Sequence, residues 1–228
     1  MINLRRSLFF SSIILFFNIV NICFNKNSVI SSDLLEAEIA NSKFKDVSDK
    51  KKLIRQLKSG GYIVYFRHAE TVKDYADQSD PNLNLRDCST QRKLSLKGIQ
   101  DARNIGKAFS NNNIPIGKVI TSEYCRSWKT ANYAFGRVDF KDSRLNFLPY
   151  EDYTTDLIKL MKKNIIPLIT KSPDKGKNTI IVGHDDLFEA ATGIYPEPQG
   201  IAYIIKPENN NQGFRIISNV LPSEWAWF

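Results

Sequence analysis

Gly60-Gly61 opens onto Tyr62-Ile63-Val64-Tyr65-Phe66, and this β-branched and aromatic run passes without a break into Arg67-His68-Ala69-Glu70-Thr71. A short apolar run preceded by glycines predicts a strand buried on both faces. Polar groups at the end of such a strand need partners or a ligand, and ligands of open α/β sheets bind at the carboxyl ends of the strands. The chain has two histidines. His68 ends this run, and His184 ends a second one, Thr179-Ile180-Ile181-Val182-Gly183. Two histidines in matching contexts point to shared chemistry rather than to two unrelated structural roles.

The rest of the chain alternates strand and helix signals. Asp49 caps a helix over Lys50–Lys58 that presents Leu53, Ile54 and Leu57 on one face, and Gly60-Gly61 ends it. A polar loop from Val72 to Lys93 has no periodicity; loops of that length in compact domains tend to be functional, and this one starts beside His68. Arg86 and Arg92 are placed to line its mouth. Ser95 caps a helix from Leu96 to about Phe109, striped by Ile99, Ala102, Ile105, Gly106 and Phe109. Val119-Ile120 is a short strand, followed by Thr121-Ser122-Glu123-Tyr124-Cys125-Arg126 and a helix that stops near Gly136. Arg126 therefore sits at a helix start after a strand end, where anions are favoured. Asp139 to Tyr150 reads as irregular. Residues 151–170 read as a helix with Leu157, Leu160, Met161 and Ile165 inside, a short helix covers Leu187–Thr192, and Ile201–Lys206 with Gly213–Val220 form a hairpin. This order argues an α/β sandwich.

The N-terminus has a different character. Arg5-Arg6 precedes an apolar run from Leu8 to Val20, the pattern of a secretory signal or, extended to Phe24, of an uncleaved membrane anchor. Residues 1–28 are assigned to this segment, 29–48 to a linker, and 49–228 to the folded domain. The expected location is periplasmic or extracellular. Cys23 has Val20 where a lipidated cysteine requires it, but Ile22 is large where a small residue is wanted. Export permits Cys88 and Cys125 to pair, which would tie the long loop to the loop after Val119-Ile120; the alternative is two free thiols. The net charge of +8 is dispersed, with no long basic block or aromatic-interleaved patch, so it argues against nucleic acid and is compatible with a small anionic substrate. No Cys-x-x-Cys or metal-ligand cluster is present.

Four boxes now stand in order. Arg67-His68-Ala69-Glu70-Thr71 resembles the R-H-G-E-T box of the histidine phosphatase superfamily. Leu94-Ser95 with Gly98 and Ala102 resembles its helix-opening L-S-x-x-G segment. Ser122, Arg126, Thr130 and Ala131 fit its S-x-x-x-R-x-x-x-T-A loop, and Gly183-His184 fits its late G-H box. Asp87 to Arg92, D-C-S-T-Q-R, is similar to a loop of small exported members. Ala69 departs from the usual Gly, and Asp101 stands where Gln is frequent.

The resemblance implies a three-layer α/β/α sandwich of the phosphoglycerate mutase-like type, with a mostly parallel central sheet. It implies a metal- and cofactor-independent phosphomonoesterase: His68 as nucleophile forming a phosphohistidine, Arg67, Arg126 and His184 around the phosphate, and Glu70, Thr71 and Arg92 on the substrate. Asp185, directly after His184, resembles the proton donor of the acid phosphatase branch; Glu151 and Asp152 are the candidates if the acid is placed as in the mutase branch. Asp186 fits an N-cap. The alternatives are a phosphoglycerate-type mutase, which an export segment argues against, and a non-catalytic phosphate-binding protein on the same fold.

Overall fold

The computed structural model describes residues 44, 46, 49–73, 75, 77–150 and 152–228. The sequence readings of the N-terminal segment, of Cys23 and of Glu151 lie outside the described residues. Six strands are formed: β1 (Ile63–Arg67), β2 (Ile116–Thr121), β3 (Phe140–Lys141), β4 (Asn178–Gly183), β5 (Ala202–Pro207) and β6 (Phe214–Val220). They make one sheet in the order β3-β2-β4-β1-β5-β6. The first four in that order run parallel, and β5 and β6 complete the sheet as an antiparallel hairpin beside β1. The helices are α1 (Lys50–Ser59), α2 (Leu96–Asn111), α3 (Cys125–Phe135), α4 (Thr155–Ile169) and α5 (Asp185–Thr192).

The two-residue period of the strands divides the interior into two cores. Val64 and Phe66 of β1, with Ile180 and Val182 of β4, face α1, α2 and α3, packing on Leu53, Leu57, Ile105, Phe109 and Ala131. Ile63 and Tyr65, with Ile181, face the other way onto Met161, Ile165 and Ile169 of α4 and Leu187 and Phe188 of α5. The result is the expected α/β/α sandwich. β1 and β4 are buried along their whole length because both faces are covered by helices.

Local chemistry sets the helix ends. The Asp49 carboxylate accepts from Lys51 N, and the Ser95 hydroxyl accepts from Gly98 N. α4 begins at Thr155 rather than near 151 because Thr154 caps it, accepting from Leu157 N. Leu160 is a correction: it is 41% exposed, and Leu168 and Ile169 supply the inner face instead. The stretch read as irregular contains β3, a two-residue edge strand paired with β2. Gly98 is required by close approach: a Cβ there would collide with the backbone of Glu70. Among the described residues no helix is long and apolar enough to cross a membrane.

Candidate active site

The sheet register brings the two histidines together. Arg67 of β1 is level with Gly183 of β4, and the ladder continues one residue further, where His68 N donates to Gly183 O at 3.0 Å. His68 and His184 therefore leave adjacent parallel strands side by side, with ring centroids 5.5 Å apart. Ser122, at the end of the next strand β2, reaches His184: its hydroxyl lies 2.8 Å from Nε2.

His68 is fully enclosed and its tautomer is dictated by its neighbours. Nδ1 lies 2.9 Å from Ala69 O, which can only accept, so Nδ1 carries the proton. Nε2 then presents its lone pair and accepts from Arg126 Nε at 3.2 Å. Burial, reinforced by the Arg126 charge, holds the imidazole well below its usual range, so it is neutral at pH 7. The same two causes hold His184 down. His184 is wedged against Phe147, 4.2 Å between centroids, and Tyr124, 5.0 Å.

Two buried arginines flank the histidines. Arg126, in the first turn of α3, donates from Nη1 to Asp77 Oδ2 at 2.9 Å; its Nη2 is buried without a partner. Arg67 donates from Nη2 to Asp185 Oδ2 at 2.7 Å and from Nη1 to Pro196 O and to Glu197 Oε2. Burial works against the Arg67 charge, but Asp185, Tyr195 and Glu197 outweigh it and raise its affinity for the proton. Unpartnered buried nitrogens therefore converge here from three residues: Arg67 Nε, Arg126 Nη2 and His184 Nδ1. Buried donors in a native fold are normally satisfied; the two guanidinium N–H groups, joined by His184 Nδ1 in the tautomer whose Nε2 accepts from Ser122 Oγ, match an oxyanion with several acceptor oxygens beside a neutral imidazole.

The long loop supplies the supports. Asp77 Oδ2 also accepts from Arg92 N, and Gln91 Oε1 accepts from Cys125 N at the start of α3. Cys88 and Cys125 are joined by a disulfide, with Cα atoms 5.7 Å apart, fastening the loop to the helix that carries Arg126. Arg92 is buried and donates to Thr71 Oγ1 and Tyr75 O. Glu70 is turned elsewhere: its side chain, 41% exposed, accepts from Ser95 Oγ and pairs with Lys97. Thr71 bonds Gln199 through its backbone N. These two brace the loop and α2 rather than add donors to the cluster.

The acidic residues separate by environment. Asp185 opens α5, accepts from Tyr195 OH at 2.8 Å and leaves Oδ1 buried and unpartnered. The N-cap of α5 is His184, so Asp186 lies inside the first turn instead of capping it. Burial and the neighbouring Asp185 push the Asp186 carboxyl up to about 7. Asp152 is exposed. Among the described residues no group of three or more His, Cys, Asp or Glu side chains is disposed to hold a metal ion.

Asp77, Phe147, Tyr195 and Glu197 were not picked out from the sequence. Asp77 had one available signal, its place in a long loop beside the histidine; the others lie in turn-rich or irregular segments without a pattern.

No family model matches the sequence, and no curated protein does. Solved structures do. A candidate alpha-ribazole-5'-phosphate phosphatase from Escherichia coli K-12 superposes over 72% of this chain and 98% of its own, with a TM-score of 0.51 at 15% identity. A mutant phosphoserine phosphatase from Entamoeba histolytica, with phosphoserine bound, covers 72% of this chain and 98% of its own, with a TM-score of 0.50 at 12% identity. The fold is the phosphoglycerate mutase-like fold, that of the histidine phosphatase superfamily whose boxes the sequence resembles.

Proposed function

We propose that this chain is an exported phosphomonoesterase that works through a phosphohistidine on His68. The observation that carries the reading is the state of that imidazole: neutral, proton fixed on Nδ1 by Ala69 O, and Nε2 held against Arg126 among unpartnered cationic donors. In the first step the Nε2 lone pair attacks phosphorus in line and the phosphorus–oxygen ester bond breaks. Arg67, Arg126 and His184 stabilise the equatorial oxygens. Asp185, a carboxylate paired with Arg67 in the free protein, takes up the proton of a phosphate monoester monoanion as it binds, passes it from Oδ1 to the leaving oxygen and, ionised again, takes one from the water that cleaves the phosphohistidine. Arginines provide the charge neutralisation, so no metal or cofactor is assigned.

Export is supported by the Arg5-Arg6 start, the apolar Leu8–Val20 run and the Cys88–Cys125 bond, since disulfides persist in oxidising compartments. Residues 49–228 are proposed as the catalytic domain, residues 29–48 as a linker and residues 1–28 as the export segment.

The test is phosphate release from a panel of phosphomonoesters by protein lacking residues 1–28, without added metal, beside His68→Ala. Release that disappears in the variant is the expected result. An isomerised phosphate ester without net release would instead indicate a mutase, and binding without turnover a non-catalytic phosphate-binding protein.

A further inference from the structure

Arg67 and Asp185 are joined by one hydrogen bond where their shapes allow two. Arg67 Nη2 donates to Asp185 Oδ2 at 2.7 Å, yet Arg67 Nε and Asp185 Oδ1 are both buried and both without a partner among the described residues. A guanidinium and a carboxylate commonly close as a fork with two parallel N–H···O bonds. Here the fork stays open, and a donor and an acceptor are left unsatisfied in the two side chains that could satisfy each other, an arrangement that costs stability on both sides.

The three residues Tyr195-Pro196-Glu197 account for the opening. Gly193 ends α5 in a left-handed turn, and the chain returns to the start of the same helix, where Tyr195 OH donates to Asp185 Oδ2 at 2.8 Å. Two donors therefore share Oδ2 and none reaches Oδ1. Burial and the Asp185 charge push the Tyr195 phenol above its ordinary range, so it keeps its proton and remains a donor. The Tyr195 ring also lies beside the guanidinium, 5.3 Å from Cζ to the ring centroid. On the far side, Arg67 Nη1 is committed to Pro196 O at 3.1 Å and to Glu197 Oε2. Of the three guanidinium nitrogens, only Nε is left for a further acceptor.

We propose that Tyr195 is a positioning residue that holds the Arg67–Asp185 pair open, keeping Oδ1 free for the proton and Nε free for the phosphate. The inference rests on the phosphatase reading for its purpose and on the two unpartnered atoms for its geometry. Without the phenol hydroxyl, Asp185 turns onto Arg67 and Oδ1 accepts from Nε, so that the acid and the phosphate donor are withdrawn together.

The test is Tyr195→Phe, which removes one oxygen from a side chain 41% exposed, so folding is not at stake. A crystal structure of the variant is expected to show Asp185 Oδ1 within hydrogen-bond distance of Arg67 Nε; a pair still open overturns the proposal. Inorganic phosphate, titrated by calorimetry, should bind the variant about tenfold more weakly than wild type, as for one lost hydrogen bond to a charged group. In an Asp185→Ala background, which has no carboxylate to close on Arg67, Tyr195→Phe should leave phosphate affinity unchanged. Equal weakening in both backgrounds, or none in either, overturns the proposal. A wild type that binds no phosphate would defeat the phosphatase reading instead, and the crystal structure would still decide whether the pair closes.

Discussion

Asp77 Oδ2 and Arg126 Nη1 are 2.9 Å apart in a place where neither side chain touches solvent. The guanidinium so fixed is the one whose Nε meets the Nε2 of His68. Removing one member of a buried pair strands the other charge, at a cost of about 3–5 kcal/mol. Asp77→Asn is therefore expected to lower Tm markedly in thermal unfolding and to reduce kcat/KM of the surviving folded fraction by more than tenfold.

The proton donation proposed for Asp185 can be separated by experiment from its grip on Arg67. Asp185→Asn is expected to slow alkyl phosphates by about 100-fold or more, and p-nitrophenyl phosphate far less, because that leaving group departs without a proton. Equal losses for both ester types would confine Asp185 to positioning Arg67.

Glu197 is the exposed partner of Arg67, its side chain 63% accessible. In the proposed reaction it would compete with an incoming phosphate for the Nη1 face. Glu197→Gln should lower KM for phosphate esters several-fold with kcat little changed, measured in steady state near neutral pH.

The buried titrating groups pull stability in opposite directions. His68 and His184 have folded pKa values depressed below 6.5, so the stability that they contribute is present above 6.5 and is lost as pH falls below it. Asp186, raised from 3.8 to about 7, contributes stability that is full below 3.8 and is lost as pH rises through 7. Asp186→Asn, which resembles the protonated form, should raise Tm at pH 8 and change it little at pH 4. Wild-type activity should show no limb near pH 6.5, because His68 stays neutral through that range.

The disulfide closes a segment of 37 residues, worth about 3–4 kcal/mol in the chain-entropy view. Cys88→Ser with Cys125→Ser should lose that stability in denaturant unfolding. It should lose activity further, because Gln91, Arg92 and Asp77 are all carried by the tethered loop.

Where the sequence carried a bounded apolar run, a period or a cap, the elements were legible: the unbroken run Tyr62–Phe66 behind Gly60-Gly61, the stripe from Ala102 to Phe109, the capping groups of Asp49 and Ser95. The pairing of His68 with His184 was legible too, because both follow apolar runs that become neighbouring strands. Asp77, Phe147 and Glu197 were not, since irregular loops place side chains through long-range bonds that leave no spacing to read. Leu160 was misplaced for a related reason: α4 starts at Thr155, and the helix is wound so that Leu160 faces outward.

Asp77 has a second duty. The same oxygen that receives Arg126 also receives the backbone N–H of Arg92, fifteen positions on. Closing the loop on itself and aiming the arginine thus share one acceptor, so a variant that opens the loop at Asp77 is expected to release Arg126 with it. Activity across a series of loop variants should follow the fraction of molecules in the closed state, with the chemistry of each closed molecule intact. A phosphate-like inhibitor would then act as a folding ligand for residues it never touches.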